Sequence, residues 1–184
     1  MSKKHIVLHH SATWDDKTKR DYDAIKAGHI KIGDRDIGYH WLIEYVNGVL
    51  VVEQGRAETD SAAACPGKNF DAIHICLVGN FQEVAPTEEE YRAVADKCKD
   101  IKTRWSIETI KGHRDWYATA CPGKMFNVDH VRDLVKGEVM VVTTVDEALT
   151  VLQAQGIVLN PDYWRNASQC VKYLDSLLIA MANK

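Results

Sequence analysis

The sequence has no apolar run long enough to cross a bilayer, and its first apolar stretch, Ile6-Val7-Leu8, is only three residues before His9 interrupts it. A spanning helix needs about 20 such residues and the core of a secretory signal about 7–15, so this start is neither. The expectation is a protein made in the cytoplasm without a signal peptide and with no membrane partner. Charge of one sign is also missing. With 23 Lys and Arg against 26 Asp and Glu, the net charge is −3, and nothing in it calls for nucleic acid as a partner. The cysteines number five, an odd count at irregular spacing, which without a secretory context argues against a disulfide framework. Cys76, within Ile75-Cys76-Leu77-Val78, and Cys98, on a helical face, read as small packing residues.

What is present is ordinary in composition. The 184 residues, 46% hydrophobic and 27% charged, suit a soluble globular protein with one medium domain and room for an appendage. Residues 5–10, apolar and then histidine, read as a central strand that delivers polar side chains at its end, with His9 and His10 facing opposite ways. Residues 22–32 have the spacing of an amphipathic helix that stops near Gly33. Residues 39–45 and 49–53, joined by Asn47-Gly48, form a hairpin. The small, polar segment 57–70 reads as a surface loop of the kind that borders sites. A buried strand follows over 72–78. A helix over 88–103 has Thr87 and Glu90 as a capping box and Tyr91, Val94, Cys98 and Ile101 as its apolar stripe. A short strand over 107–110 and a helix over 128–135 complete an α/β domain, a mixed central sheet flanked by helices, over residues 1–136.

After Gly137 the character changes. Residues 137–144 read as a linker and 145–184 as a small C-terminal helical hairpin. Thr144 and Glu147 make a second capping box, and Asn160-Pro161 starts a helix whose apolar stripe runs from Tyr163 to Met181. Two such helices cannot bury that stripe alone. It packs on the main domain, on a partner, or on a second copy as a homo-oligomer.

The chemistry gathers on one loop, Gly112-His113-Arg114-Asp115-Trp116-Tyr117-Ala118-Thr119-Ala120-Cys121-Pro122-Gly123. Imidazole and thiolate are ligands that zinc prefers, and a loop can bring His113 and Cys121 onto one ion. A histidine from the end of the first strand would make three protein ligands, leaving the fourth position for water, which is the catalytic arrangement. Such an ion lowers the pKa of its water towards about 7 and polarises a carbonyl, which suits hydrolysis of an amide or ester. His5, His29, His74 and His130 lie on strand or helix segments, where core or surface placement is the ordinary reading. His40 alternates away from Tyr39.

Five blocks then occur in order: His9-His10-Ser11-Ala12-Thr13, Asp36-Ile37-Gly38-Tyr39-His40, Ile75-Cys76-Leu77-Val78-Gly79-Asn80-Phe81, Gly112-His113-Arg114-Asp115 and Ala120-Cys121-Pro122-Gly123. Together, over roughly residues 4–136, they resemble the zinc N-acetylmuramoyl-L-alanine amidases of the phage-endolysin and peptidoglycan-recognition-protein group. The resemblance implies that His9, His113 and Cys121 bind zinc. It implies that Tyr39 holds or activates the attacking water and steadies the oxyanion. A phenol is too weak an acid to be a free base at pH 7, so nearby zinc must supply the difference. Thr119 stands where some phage members have lysine; its hydroxyl can donate to the oxyanion but brings no charge. His10 and Asp115 are candidates for orienting the ligands, or Asp115 merely ties the loop. Many relatives carry a histidine in the loop that here runs from Ser61 to Pro66; this chain has Cys65 nearby instead.

The implied activity is cleavage of the bond between the lactyl group of N-acetylmuramic acid and L-alanine of the stem peptide, with peptidoglycan as partner and zinc as cofactor. A phage or prophage endolysin, acting on the wall after release, fits the resemblance. The rivals are a peptidoglycan-binding module without catalysis, whose members typically lose the cysteine ligand, and an amidase acting on recycled anhydro-sugar fragments. The C-terminal hairpin resembles short tails of phage amidases, with wall targeting, self-association and a simple cap all open.

Overall fold

The computed structural model describes residues 2–137, 144–154, 160, 164, 178–179 and 181–182. The chain divides into two compact units, Met1–Lys136 and Gly137–Lys184. In the first, β1 (His5–His10), β2 (Trp41–Val46), β3 (Val49–Gln54), β4 (Ala72–Leu77) and β5 (Thr109–Gly112) form one sheet in the order β3-β2-β4-β1-β5. β1 runs parallel to both its neighbours, β4 and β5, and β2 runs parallel to β4, while β3 returns antiparallel to β2. The turn into β3 is the expected Asn-Gly: Asn47 and Gly48 have φ of 52° and 76°, the positive values that let a two-residue hairpin follow the strand twist.

One face of the sheet carries the main core. Ile6 and Leu8 of β1, Ile73, Ile75 and Leu77 of β4 and Ile110 of β5 meet α2 (Glu88–Arg104) and α3 (Val128–Lys136). The stripe expected for α2 is buried there as Tyr91, Val94, Cys98 and Ile101. Its N-terminus carries the expected capping box, with Thr87 and Glu90 each accepting from the other's backbone N–H. The other face is covered by loops and by α1 (Tyr22–Lys31), which packs Tyr22 and Ile25 against Ile37, Leu42, Cys76 and Val78 without burying any residue completely. Glu44, fully buried on β2, accepts from the backbone N–H groups of Asp21 and Tyr22 and so holds the start of α1. Lys3 is also fully buried; its Nζ donates to the carbonyls of Asp60 and Ala72 and ties the 57–71 loop to the first strand.

Two strands begin later than expected; β2 starts at Trp41 rather than residue 39, which leaves Tyr39 in the loop before it. The strand read over 107–110 begins two residues later, because its parallel register with β1 runs from His5↔Thr109 to Leu8↔Gly112. Ile107 packs on the core ahead of the strand, so the apolar signal started too early. The shift matters: Gly112 becomes the last strand residue, and His113 emerges directly from the sheet.

The second unit contains α4 (Val145–Ala154). Its N-terminal box forms as expected, Thr144 and Glu147 exchanging backbone-to-side-chain bonds at 3.1 and 3.3 Å. Ala148, Leu149 and Leu152 are buried with Leu178. The helix expected from Pro161 to Met181 lies for most of its length outside the described residues.

Candidate metal centre

Strand alternation decides which histidine of the His9-His10 pair enters the site. His9 shares its face with Val7 and, across the parallel register, with Cys76 of β4. His10 points the other way, into the helix-covered core, where its Nδ1 accepts from Phe81 N at 3.3 Å and its ring stacks on Phe81. His9 is 1% exposed. Its Nδ1 lies 3.6 Å from Cys121 Sγ, and its ring centroid lies 4.7 Å from that of His113.

The loop that supplies the other two groups is built to close on itself. Residues 113–115 form one 3-10 turn after β5. Asp115 accepts from Gly112 N at 2.9 Å, and Arg114 N donates to the carbonyl of Cys121 at 2.8 Å. The Arg114 guanidinium donates to the carbonyls of Gly123 and Phe126. These bonds bring Cys121 back beside His113 although eight residues separate them in the chain. Thr119 Oγ1 accepts from Cys121 N at 3.3 Å, and His10 N donates to Cys121 Sγ at 3.4 Å. The loop then docks on the turn after β4. Gly123 has φ of 105°, and a Cβ there would lie 2.4 Å from the Phe81 main chain, so only glycine fits.

One ligand atom each from His9, His113 and Cys121 falls within a cluster no wider than 4.8 Å. The surroundings fit a metal. The Nε2 of His113 is buried without a hydrogen-bond partner among the described residues, which is costly for a group with no ligand to meet. Burial holds His9 and His113 in the neutral form that coordination needs. Burial also pushes the Cys121 thiol up to about 11, so on its own it is no thiolate nucleophile at pH 7. A cation is what would deprotonate it. The donor set, two imidazoles and one thiolate, suits a borderline-soft ion such as zinc.

Tyr39, from the loop before β2, stands over the cluster with its ring 5.2 Å from that of His9. Burial raises its hydroxyl well above the ordinary value, with the thiols of Cys76 and Cys121 nearby. Tyr117 stacks on His113 from the outer side, half exposed, with rings 5.9 Å apart. Thr119, partly buried, accepts from Cys121 N, which leaves its hydroxyl proton to donate.

One expectation needs correction: alternation turns the His10 ring to the opposite face, and His10 meets Cys121 through its backbone, the N–H donating to Sγ at 3.4 Å and the carbonyl lying 4.0 Å from Sγ. Of the two readings of Asp115, the loop tie is the one seen, its carboxylate accepting from Gly112 N. The group that meets His9 is His74, Nδ1 to Nε2 at 2.9 Å. From the sequence, its place on a strand segment gives only the ordinary reading of core or surface. The signal that would have found it is period two on paired strands, Val7 and His9 on β1 beside His74 and Cys76 on β4. A cavity of about 400 Å³ lined by Arg114, Lys124 and Arg132 contains none of the three candidate ligands.

In this mixed α/β sheet, β1 carries His9 and the loop after β5 carries His113 and Cys121, a cluster that could hold one metal ion. Residues 1–124 match the family model described as N-acetylmuramoyl-L-alanine amidase, and the chain belongs to that family. It is 35% identical over 92 residues to peptidoglycan-recognition protein SD of Drosophila melanogaster; the match spans 48% of each, about half of that relative's length. It is 27% identical over 124 residues to the endolysin of Klebsiella phage KP32, covering 64% of this chain and 78% of that one. Among solved structures, the N-acetylmuramoyl-L-alanine amidase LysC from Clostridium intestinale URNW superposes with a TM-score of 0.64 at 25% identity, covering 74% of this chain and 87% of that one.

Proposed function

We propose that the protein is a zinc-dependent N-acetylmuramoyl-L-alanine amidase that degrades bacterial cell wall in the manner of a phage or prophage endolysin. The observation that carries this is the cluster of His9, His113 and Cys121 in a chain of this family. These three residues would hold zinc beside Tyr39. When bound, zinc supplies a Lewis acid for the scissile carbonyl and lowers the pKa of a water towards about 7.

The chain's own groups do the rest. Tyr39 keeps its proton, since burial raises its hydroxyl, and donates a hydrogen bond to the developing oxyanion. Thr119 offers a second, uncharged donor. Water adds to the lactyl carbonyl, the carbon–nitrogen bond to L-alanine breaks, and the amine leaves with a proton taken from that water. Muramic acid keeps the new carboxylate. The half-exposed Tyr117 beside His113 gives an apolar face on which a sugar or peptide segment can rest.

The recognition-protein relatives favour a second reading, peptidoglycan binding without catalysis. The Cys121 thiol, retained and aimed at His9, argues for catalysis, because a binding surface has no need of it. Purified walls digested with the protein and examined by mass spectrometry decide between them. The expected products are stem peptides with a free L-alanine amine and glycan without peptide. Intact walls after digestion with zinc-loaded protein would sink the enzymatic reading, and cleavage at another bond would sink the amidase assignment.

A further inference from the structure

His74 lies on β4, fully buried, and the mechanism above does not use it. Its hydrogen bonds leave a single arrangement of protons. Nε2 is 3.2 Å from the carbonyl oxygen of Lys68, which can only accept, so Nε2 carries the proton. The backbone N–H of His74 donates to His40 Nδ1 at 2.9 Å, and His40 Nε2 donates to the carbonyl of Asp60 at 3.2 Å, so the neighbouring ring is fixed as well. The ring is fully buried against the rings of His9 and His40, a setting that keeps it neutral. A neutral imidazole protonated at Nε2 is an acceptor at Nδ1. The atom facing it at 2.9 Å is His9 Nε2, which must therefore be the donor. His9 is then bare at Nδ1, the atom 3.6 Å from Cys121 Sγ.

We propose that His74 is a positioning residue of the metal centre: anchored on the Lys68 carbonyl, it fixes His9 as the Nε2–H tautomer and presents Nδ1 to the ion. The inference rests on reading His9, His113 and Cys121 as a zinc site. Metal-bound histidines commonly donate the second ring N–H to a carboxylate or backbone carbonyl. Here a second imidazole relays that bond to a carbonyl in the 57–71 loop, so the loop holds the ligand through His74.

The test uses the full chain. Zinc affinity is measured by competition with a chromophoric chelator for the wild type, His74→Leu and His74→Asn. Asparagine places Oδ1 near the position of Nδ1 and can accept from His9, whereas leucine cannot. The expected result is a loss of about 10–100-fold in zinc affinity for His74→Leu and a much smaller loss for His74→Asn. Long-range proton–nitrogen spectra of the metal-free wild type, labelled at histidine nitrogens, are expected to show His9 protonated at Nε2. These spectra decide the matter even if His74→Leu does not fold. His9 protonated at Nδ1, or a folded His74→Leu that binds zinc as tightly as the wild type, overturns the proposal. A wild type that binds no zinc overturns the zinc reading instead, and the spectra still report the tautomer.

Discussion

Acid should destabilise the metal-free protein well before its carboxylates are titrated. His40 and His74 are both fully buried, and burial is the main reason their pKa values fall from 6.5 to about 4 and about 3. Above pH 6.5 neither the folded nor the unfolded chain protonates these rings, and they do not affect stability. Between 6.5 and 4 the unfolded chain takes up protons that the folded chain refuses, so stability falls as pH falls. At pH 5 both folded-state values still lie below the ambient pH. Each ring then costs roughly 2 kcal/mol relative to pH 7, from 1.36 kcal/mol per pH unit over the interval below 6.5. The pair costs about 4 kcal/mol, a large share of the 5–15 kcal/mol that holds a typical domain together. The assay is urea unfolding of the protein in chelator at pH 7 and pH 5, followed by tryptophan fluorescence. His40→Asn should recover roughly 2 kcal/mol of the pH dependence, whatever it does to stability at pH 7. A wild-type loss under about 1 kcal/mol between the two pH values would refute the reasoning, because two neutral buried histidines require more.

Other perturbations probe the site and its frame. His9→Ala and Cys121→Ala should each abolish zinc binding and wall hydrolysis, whereas Thr119→Ala should lower the rate by no more than about 100-fold, the lower end for losing an oxyanion donor; equal, mild losses in all three, measured by turbidity of a wall suspension, would contradict the assignment. Gly123→Ala forces a Cβ to within 2.4 Å of the Phe81 main chain at a φ of 105°, so it should cost about 1–3 kcal/mol in chemical unfolding and weaken zinc binding by displacing Cys121. Thr87→Ala removes the N-cap of α2 and should lower stability by about 1 kcal/mol with wall hydrolysis unchanged at 25 °C.

Much of this protein was legible from local pattern. The Asn47-Gly48 hairpin, the Thr87–Glu90 and Thr144–Glu147 boxes and the α2 stripe are short-range signals, and each appears where the residues put it. The β5 boundary was less legible, because an isolated isoleucine gives no register and only pairing with β1 sets it. The candidate site divides in the same way. The ordered motifs named His9, His113 and Cys121, and the structure brings their ligand atoms together. Which groups support them was not written in any motif. Asp115 is open in the sequence between orienting a ligand and tying the loop; in the fold its carboxylate accepts from the loop backbone at Gly112 N.

The sequence by itself determined the periodicities, the caps, the turn and the identity of the candidate metal-binding groups, because these follow from residues close in the chain or from the ordered motif blocks. Tertiary structure decided which face His10 turns to, what meets the second nitrogen of His9, and how residues 65 apart in the chain, His9 and His74, come to share one hydrogen bond. The physical reason is the parallel sheet. Register between strands joined by long crossovers is fixed by burial of the whole face, and no local stretch of residues carries that information.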